Sequence, residues 1–319
     1  EAIYEPRFLN CMYGFRPNRG CHDAIKELYK RLNNTKICYI VDADIKGFFD
    51  HMKHEWIIKF LNLYIKDPNI IGLVKKYLKV GVLDGGELMM NEEGSAQGNI
   101  ISPILANIYM HNVLTLWYKF IITKECKGDN FLIVYADDFV AGFQYKWEAE
   151  NYYKLLKERM EKFGLQLEES KSRLLQSGAY IARAKQKSGE STRLETFDFL
   201  GFTFYCGRSR KGMPYIMPKT SSKKFRQKIR DIKVWLYANR DQSLKKLMGM
   251  LNLKLVGHYR YYGISFNGRM ISNYKQQVRE LLFKVLNRRS DRKSYTREGF
   301  IEMLKYYPLA LPKIYVSLF

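Results

Sequence analysis

The chain has 319 residues, 46% of them hydrophobic, which is the make-up of a globular protein with real cores and excludes a disordered tail. Lys and Arg number 54 against 32 Asp and Glu, a net charge of +22, so the partner is a polyanion or an anionic surface. Five scattered cysteines, with no Cys-x-x-Cys pair and no Cys/His cluster, exclude a disulfide framework and a zinc site and favour a reduced, intracellular compartment.

Residues 1–19 are irregular, with Gly14, Pro17 and then Gly20 as punctuation. A helix is expected over 20–33, with Ala24, Ile25, Leu28 and Leu32 on one face, then a strand over 37–43 and helices over 53–65 and 69–80. A glycine-rich loop leads to a long helix over 102–123. The apolar run 101–122 carries Ser102, Pro103, Asn107, His111, Asn112 and Lys119, so it reads as a buried core helix and not as a membrane span. Strands over 131–136 and 139–144 follow, then a helix over 147–163 ending at Gly164. Strands over 165–175 and 197–205 flank a polar segment, 178–195, that reads as an exposed loop.

From about residue 220 the pattern is helical only. Phe225, Ile229, Ile232 and Leu236 make one apolar face, Leu244, Leu247, Leu251 and Leu255 a second, and Ile271, Tyr274, Val278, Leu281 and Val285 a third. Residues 201–300 hold 24 basic and 5 acidic residues, a net of +19, so nearly all the excess charge lies here. The order of elements, helices mixed with antiparallel strands and no βαβ repetition, gives an α+β class.

Residues 131–143 read Phe-Leu-Ile-Val-Tyr-Ala-Asp-Asp-Phe-Val-Ala-Gly-Phe. Two acids inside an apolar run are costly unless paired or bound to a metal, and Asp137 and Asp138 are expected at the bend between the strands. Asp-Asp alone is also ordinary turn chemistry, but the bend lacks the Gly or Asn that a two-residue hairpin prefers. Upstream, Asp44 ends another apolar strand in Ile37-Cys-Tyr-Ile-Val-Asp-Ala-Asp44-Ile-Lys-Gly-Phe-Phe-Asp50. Carboxylates from two neighbouring strands can clamp a pair of Mg²⁺ ions about 3.5–4 Å apart, the arrangement for in-line phosphoryl transfer. Between them, Gly94-Ser-Ala-Gln97-Gly98-Asn-Ile-Ile-Ser102-Pro103 allows close backbone approach and then opens a helix, with Ser102 as N-cap and Pro103 at its first position.

In that order, Asp44, then Gln97-Gly98 with Ser102-Pro103, then Tyr135-Ala136-Asp137-Asp138 resemble the A, B and C motifs of reverse transcriptases. Gly14-Phe-Arg-Pro-Asn-Arg-Gly20 with His22-Asp23-Ala24, Asp44-Ile-Lys-Gly-Phe-Phe-Asp50, Gln97-Gly-Asn-Ile-Ile-Ser-Pro-Ile-Leu-Ala-Asn107 and Leu253-Lys-Leu-Val-Gly-His-Tyr-Arg-Tyr-Tyr-Gly263 resemble one branch, the group II intron-encoded reverse transcriptase/maturase. The resemblance runs to Pro312-Lys-Ile-Tyr315. It implies a right-hand polymerase palm followed by an all-helical thumb or maturase X domain. The expected divisions are 1–36, a remnant of the fingers and palm entry; 37–218, the palm with part of the fingers; and 219–319, the thumb. The family's N-terminal fingers segment and its His-Asn-His endonuclease have no counterpart in these residues.

The resemblance also implies roles. Asp44, Asp137 and Asp138, with the backbone carbonyl of Ile45, would bind two Mg²⁺ ions, Mn²⁺ being possible. Phe49 would crowd a ribose 2′-hydroxyl, with Phe48 as runner-up. Gln97 and Gly98 would line the nucleotide, and Arg16 lies near it. Gly164-Leu-Gln-Leu-Glu-Glu-Ser-Lys171 resembles motif D, so Lys171 would protonate the leaving pyrophosphate, a surface lysine being the equal alternative. Phe199-Leu200-Gly201 resembles the primer-grip turn. Lys223, Lys224, Arg226, Lys228, Arg230, Lys233, Lys245 and Lys246, with His258, Tyr259 and Arg260, would face nucleic acid. Packing between helices is the competing role for two of Tyr259, Tyr261 and Tyr262. The implied partners are dNTPs, an RNA template with a DNA primer, and group II intron RNA; no membrane is implied, and the setting is cytoplasmic, bacterial or organellar. The implied activity is RNA-directed DNA synthesis with assistance to splicing and retrohoming. A non-catalytic RNA-binding splicing factor and a domesticated reverse transcriptase relative are the alternatives. Bulky Phe48-Phe49 argues against an RNA-dependent RNA polymerase.

Overall fold

A computed structural model describes residues 2–79, 82–84, 87–89, 100–288 and 294–319. It divides into two compact units, Glu1–Leu200 with Cys206–Ile216, and Gly201–Tyr205 with Met217–Phe319.

The first unit is built on a four-stranded sheet of order β4-β5-β1-β6, made of β1 (Tyr39–Ala43), β4 (Asn130–Tyr135), β5 (Asp138–Phe143) and β6 (Arg173–Gln176). All its pairings are antiparallel. β1 meets β5 from Tyr39 opposite Phe143 to Ala43 opposite Phe139, and meets β6 from Tyr39 opposite Gln176 to Asp42 opposite Arg173. β-branched and aromatic residues favour these strands, and their period of two sorts the side chains. Val41, Ala43, Leu132, Val134, Phe139, Ala141 and Phe143 face one core. That core is completed by helices α3 (His54–Asn62), α4 (Pro68–Lys79), α5 (Ser102–Met110) and α7 (Lys146–Lys162), through Ile57, Phe60, Leu61, Val74, Leu105, Tyr109, Tyr152 and Leu156. Each large apolar side chain so buried is worth about 1.5–3 kcal/mol. Alternation then sends Asp42 and Asp44 to the opposite face. The α+β expectation holds.

Helix α1 (Cys21–Asn34) starts at Gly20, whose N–H donates to Asp23 Oδ2 at 2.7 Å. A short helix, α2 (Phe48–His51), enters from Gly47 at φ 52°. The loop expected before the long helix carries a small hairpin, β2 (Val82–Asp84) with β3 (Glu87–Met89). The long helix begins at Ser102, as its sequence suggests, but with Ile101 and not Ser102 as N-cap. It continues through two π-helical stretches, His111–Thr115 and Tyr118–Ile122, into α6 (Thr123–Glu125). No helix among the described residues is long and apolar enough to cross a membrane.

The segment 178–195 is not a plain loop: it contains α8 (Ala179–Lys187). Ala179 and Ala182 are fully buried three residues apart, a stripe too small to stand out among polar neighbours. Of the strand expected over 165–175 only β6 forms, together with an isolated antiparallel bridge between Ile45 and Leu167. The strand expected over 197–205 breaks into β7 (Phe197–Phe199) and β8 (Phe202–Arg208), and β9 (Pro214–Thr220) completes a sheet of order β7-β8-β9.

In the second unit, α9 (Ser222–Ala238), α10 (Leu244–Tyr262), α11 (Gly268–Leu286) and α12 (Arg297–Tyr306) account for most residues. Ser221 caps α9, its Oγ accepting from Lys224 N–H at 3.3 Å. Ile232, Leu236, Leu247, Leu251, Leu255, Tyr274 and Val278 are buried, as the helical spacing requires. Asn267, fully buried, accepts from Thr220 N–H at 2.8 Å and donates to Thr220 Oγ1 and to Tyr262 O, each at 2.8 Å.

Candidate functional site

The hairpin β4–β5 closes one residue earlier than its sequence suggests. Tyr135 pairs with Asp138, so the turn is Ala136-Asp137 and Asp138 opens β5. A two-residue hairpin turn wants positive φ, and Ala136 supplies it at 58° without being glycine. This puts Asp137 at the tip and Asp138 on the strand, exposed.

Asp44 follows the last residue of β1, one step beyond the Ala43–Phe139 pair, at the same end of the sheet as the turn. The segment after α7 locks it there. Lys46 N–H donates to Gln166 O at 2.9 Å, Glu168 N–H donates to Asp44 O at 2.8 Å, and Asp44 N–H donates to Ser172 Oγ at 3.3 Å. The same loop brings Lys171 onto the acid, with Nζ 2.8 Å from Asp44 Oδ2. The bond to Asp44 and its charge hold the Lys171 ammonium above the usual lysine range. Burial pushes the Asp137 carboxyl up; hydrogen bonding to its own backbone opposes this, and the negative charge of Asp44 adds to it. The charge of Asp44 therefore reaches Asp137.

Asp138 makes its influence felt elsewhere on this face, at Asp42 and Lys171. Among the described residues, no group of three or more His, Cys, Asp or Glu side chains is gathered as a ready metal cage. Asp44 is turned to Lys171. Ile45, expected to offer its carbonyl, is buried and bridges to Leu167. These donors are hard carboxylate oxygens, the set that suits a divalent cation, and such a cation would offset the burial and the Asp44 charge that together raise Asp137.

Asp42 is not among the acids that the motifs single out. It lies on the Asp44 face, opposite Arg173, with Oδ2 3.7 Å from Arg173 Nε. Burial pushes its carboxyl to about 7, against the pull of Arg173 and with help from Asp198, Asp138 and Asp44. The spacing of 42 and 44, two apart on one strand, was the available signal.

Phe48 is buried and packs edge-on against Phe49 at 5.3 Å and Tyr109 at 6.2 Å, whereas Phe49 is half-buried. Gln97 and Gly98 lie outside the described residues. Arg16, expected near the nucleotide, is instead committed inward. Its guanidinium meets Glu5 Oε1 at 2.8 Å and donates to Leu9 O at 2.8 Å and Met12 O at 3.0 Å. It is 8% exposed, so it ties the N-terminal segment together.

Phe199 is buried; Leu200 and Gly201 form the turn between β7 and β8, at φ 48° and 79°. Lys223, Lys224, Arg226, Lys228, Arg230, Lys233, Lys245, Lys246 and Arg260 are all exposed. His258 and Tyr259 are not, which corrects the expectation that they meet nucleic acid. Tyr259 is fully buried and donates to Ala310 O at 3.3 Å. His258 stacks on Tyr274 at 3.6 Å, neither ring nitrogen has a hydrogen-bond partner among the described residues, and burial drives its pKa down to about 3.

Comparison with known proteins adds an independent line. Residues 2–204 match the family model described as reverse transcriptase (RNA-dependent DNA polymerase), and residues 222–301 match that of the group II intron, maturase-specific domain. The group II intron-encoded protein LtrA of Lactococcus lactis subsp. cremoris is 40% identical over 129 residues, covering 40% of this chain and 20% of LtrA. An uncharacterized 91 kDa protein in the cob intron of Schizosaccharomyces pombe is 42% identical over 114 residues, 35% of this chain and 14% of that protein. These matches thus span a fifth or less of the relatives' lengths. Among solved structures, apo telomerase from Candida tropicalis aligns with a TM-score of 0.46 at 15% identity, over 88% of this chain and 51% of that one.

Proposed function

We propose, because the chain belongs to the reverse transcriptase (RNA-dependent DNA polymerase) family and carries a group II intron maturase-specific domain, that it copies RNA into DNA from dNTPs and binds the RNA of its own intron. The observation that carries the catalytic half is the register that brings Asp44, just past β1, and the Ala136-Asp137 turn to the same end of the sheet, where Lys171 Nζ lies 2.8 Å from Asp44 Oδ2. Asp44 and Asp137, with Asp138 and the Ile45 carbonyl, would hold divalent cations, Mg²⁺ by the hardness of the donors. Such ions supply an activated primer hydroxyl and a stabilised pyrophosphate.

The chain's own groups do the rest. Asp44 orients Lys171 beside the reacting phosphates and keeps it protonated at neutral pH, as a general acid must be. Phe49, packed edge-on with buried Phe48, would crowd a ribose 2′-hydroxyl. Gln97 and Gly98 keep their nucleotide role on the motif alone, and Arg16 leaves the list for the scaffold. The exposed lysines and arginines of α9 and α10 neutralise phosphates of template–primer and of intron RNA. The setting is the cytoplasm of a bacterium or the interior of an organelle, a reading supported by relatives that are intron proteins of a bacterium and of a yeast.

Primer extension on an RNA template is the test. The protein should incorporate dNTPs with Mg²⁺, and Asp137→Asn should abolish incorporation while leaving RNA binding intact. RNA binding with no incorporation by the unaltered protein would replace this reading with that of a non-catalytic splicing factor.

A further inference from the structure

The segment before α1 runs along the outer edge of β4. Met12 lies opposite Val134 in a parallel bridge, Tyr13 N–H donates to Val134 O at 2.8 Å, and Val134 N–H donates to Cys11 O at 2.8 Å. The next residue, Gly14, rests on the turn that carries Asp137. A Cβ added there would stand 2.6 Å from Ala136 N and 3.1 Å from Tyr135 C. Both are backbone atoms, so no rotamer change relieves the contact; the turn or the segment must move. From the other side, Gly14 O accepts from Asn107 Nδ2 at 2.7 Å, and Asn107 is 1% exposed on α5. Gly14 is thus held between a helix and a turn whose first residue, Ala136, sits at a φ that alanine rarely adopts.

We propose that Gly14, fixed by Asn107, is a positioning residue that sets the Ala136-Asp137 turn and so the place of the Asp137 carboxylate relative to Asp44. This rests on the reading of Asp137 as a metal ligand. Gly14 touches no substrate; it acts through the backbone of the turn. A glycine that only packed well would change stability alone. A positioning glycine changes metal affinity and turnover while leaving nucleotide binding in place.

Mn²⁺ binding to the whole protein, followed by electron paramagnetic resonance without nucleotide, separates the two roles. Gly14→Ala should weaken Mn²⁺ binding by ~10- to 100-fold, the range for residues that orient ligands. It should lower kcat for primer extension by ~10²-fold, with KM for dNTP changed less than ~3-fold. Asn107→Ala should move both quantities the same way by a smaller factor. Adding Ala136→Gly to Gly14→Ala should recover part of the Mn²⁺ affinity, because a glycine turn can yield without strain.

Should Gly14→Ala unfold the protein, Asn107→Ala and its Mn²⁺ titration carry the test. Wild-type Mn²⁺ affinity in the folded variants overturns the proposal, as does a loss that only tracks the unfolded fraction. If instead Asp137→Asn binds Mn²⁺ as the unaltered protein does, the metal reading itself fails, which is a different result.

Discussion

The two units use charge in opposite ways. In the first, four acids, Asp42, Asp44, Asp137 and Asp138, lie toward one end of a sheet, their backbone held by strand register, a hairpin turn and the loop 165–172. In the second, exposed cations are spread along helix faces, tied by local contacts such as Lys228 to Asp231 and Arg230 to Gln227. The difference predicts how each fails. A site that depends on a few placed oxygens is lost with one atom, whereas a field of cations fades by degrees.

The sharpest test is one atom in the first unit. Asp44→Asn or Asp137→Asn should cut divalent-cation-dependent incorporation by at least ~10³-fold, about 4 kcal/mol of barrier. RNA affinity measured by filter binding should stay unchanged; a matching fall in affinity would erase the contrast. Next, Arg16→Met removes one side of an inward ion pair and should cost about 3 kcal/mol of stability in denaturant, with KM for dNTP in the folded enzyme unaltered. A large rise in that KM would return Arg16 to the nucleotide.

In the second unit, Lys223, Lys224, Lys228 and Lys233 changed together to Gln should weaken RNA binding by ~10²-fold and reduce the slope of log K against log salt by about 3. Any one of them alone should hardly register. If one lysine carried most of the loss, the second unit would hold a discrete site like the first.

The smallest effect tests His258. Unfolded, this histidine takes a proton near 6.5; folded, it resists down to about 3. The unfolded state therefore binds more protons in that window, so native stability is full above 6.5 and falls as the pH drops towards 3. His258→Phe keeps a ring against Tyr274 and should flatten that dependence, with stability at pH 7 within about 1 kcal/mol of the unaltered protein. RNA affinity should not move, since the ring is buried.

The same contrast explains what could be read from the sequence. The strands around Asp44 and Asp137 were legible because apolar runs interrupted by acids have few other uses. The three thumb-like helices were legible from apolar spacing alone. The turn was misplaced by one residue because Ala136 does the work of a glycine, and nothing in alanine announces positive φ. Helix α8 was hidden because its buried stripe is alanine. Arg16 and His258 were misread, and Tyr259 was left between nucleic acid and helix packing, because a polar or aromatic residue in a motif looks alike whether it faces a ligand or the interior; only the partners Glu5, Tyr274 and Ala310 separate the cases.

The π-helical stretches of the long helix carry a consequence for how such proteins change over generations. A π turn holds one residue more than the α geometry around it. Loss of a single residue between 118 and 122 would let the helix close into regular α form. The extra residue is already absorbed there, so the rest of the helix would keep its facing. The same loss within Ser102–Met110 would instead turn everything after it by about 100°, pulling Tyr118 from its 3.1 Å contact with Asn130 at the start of β4. Gaps in descendants of this gene should therefore gather in the π stretches and spare the α stretch before them.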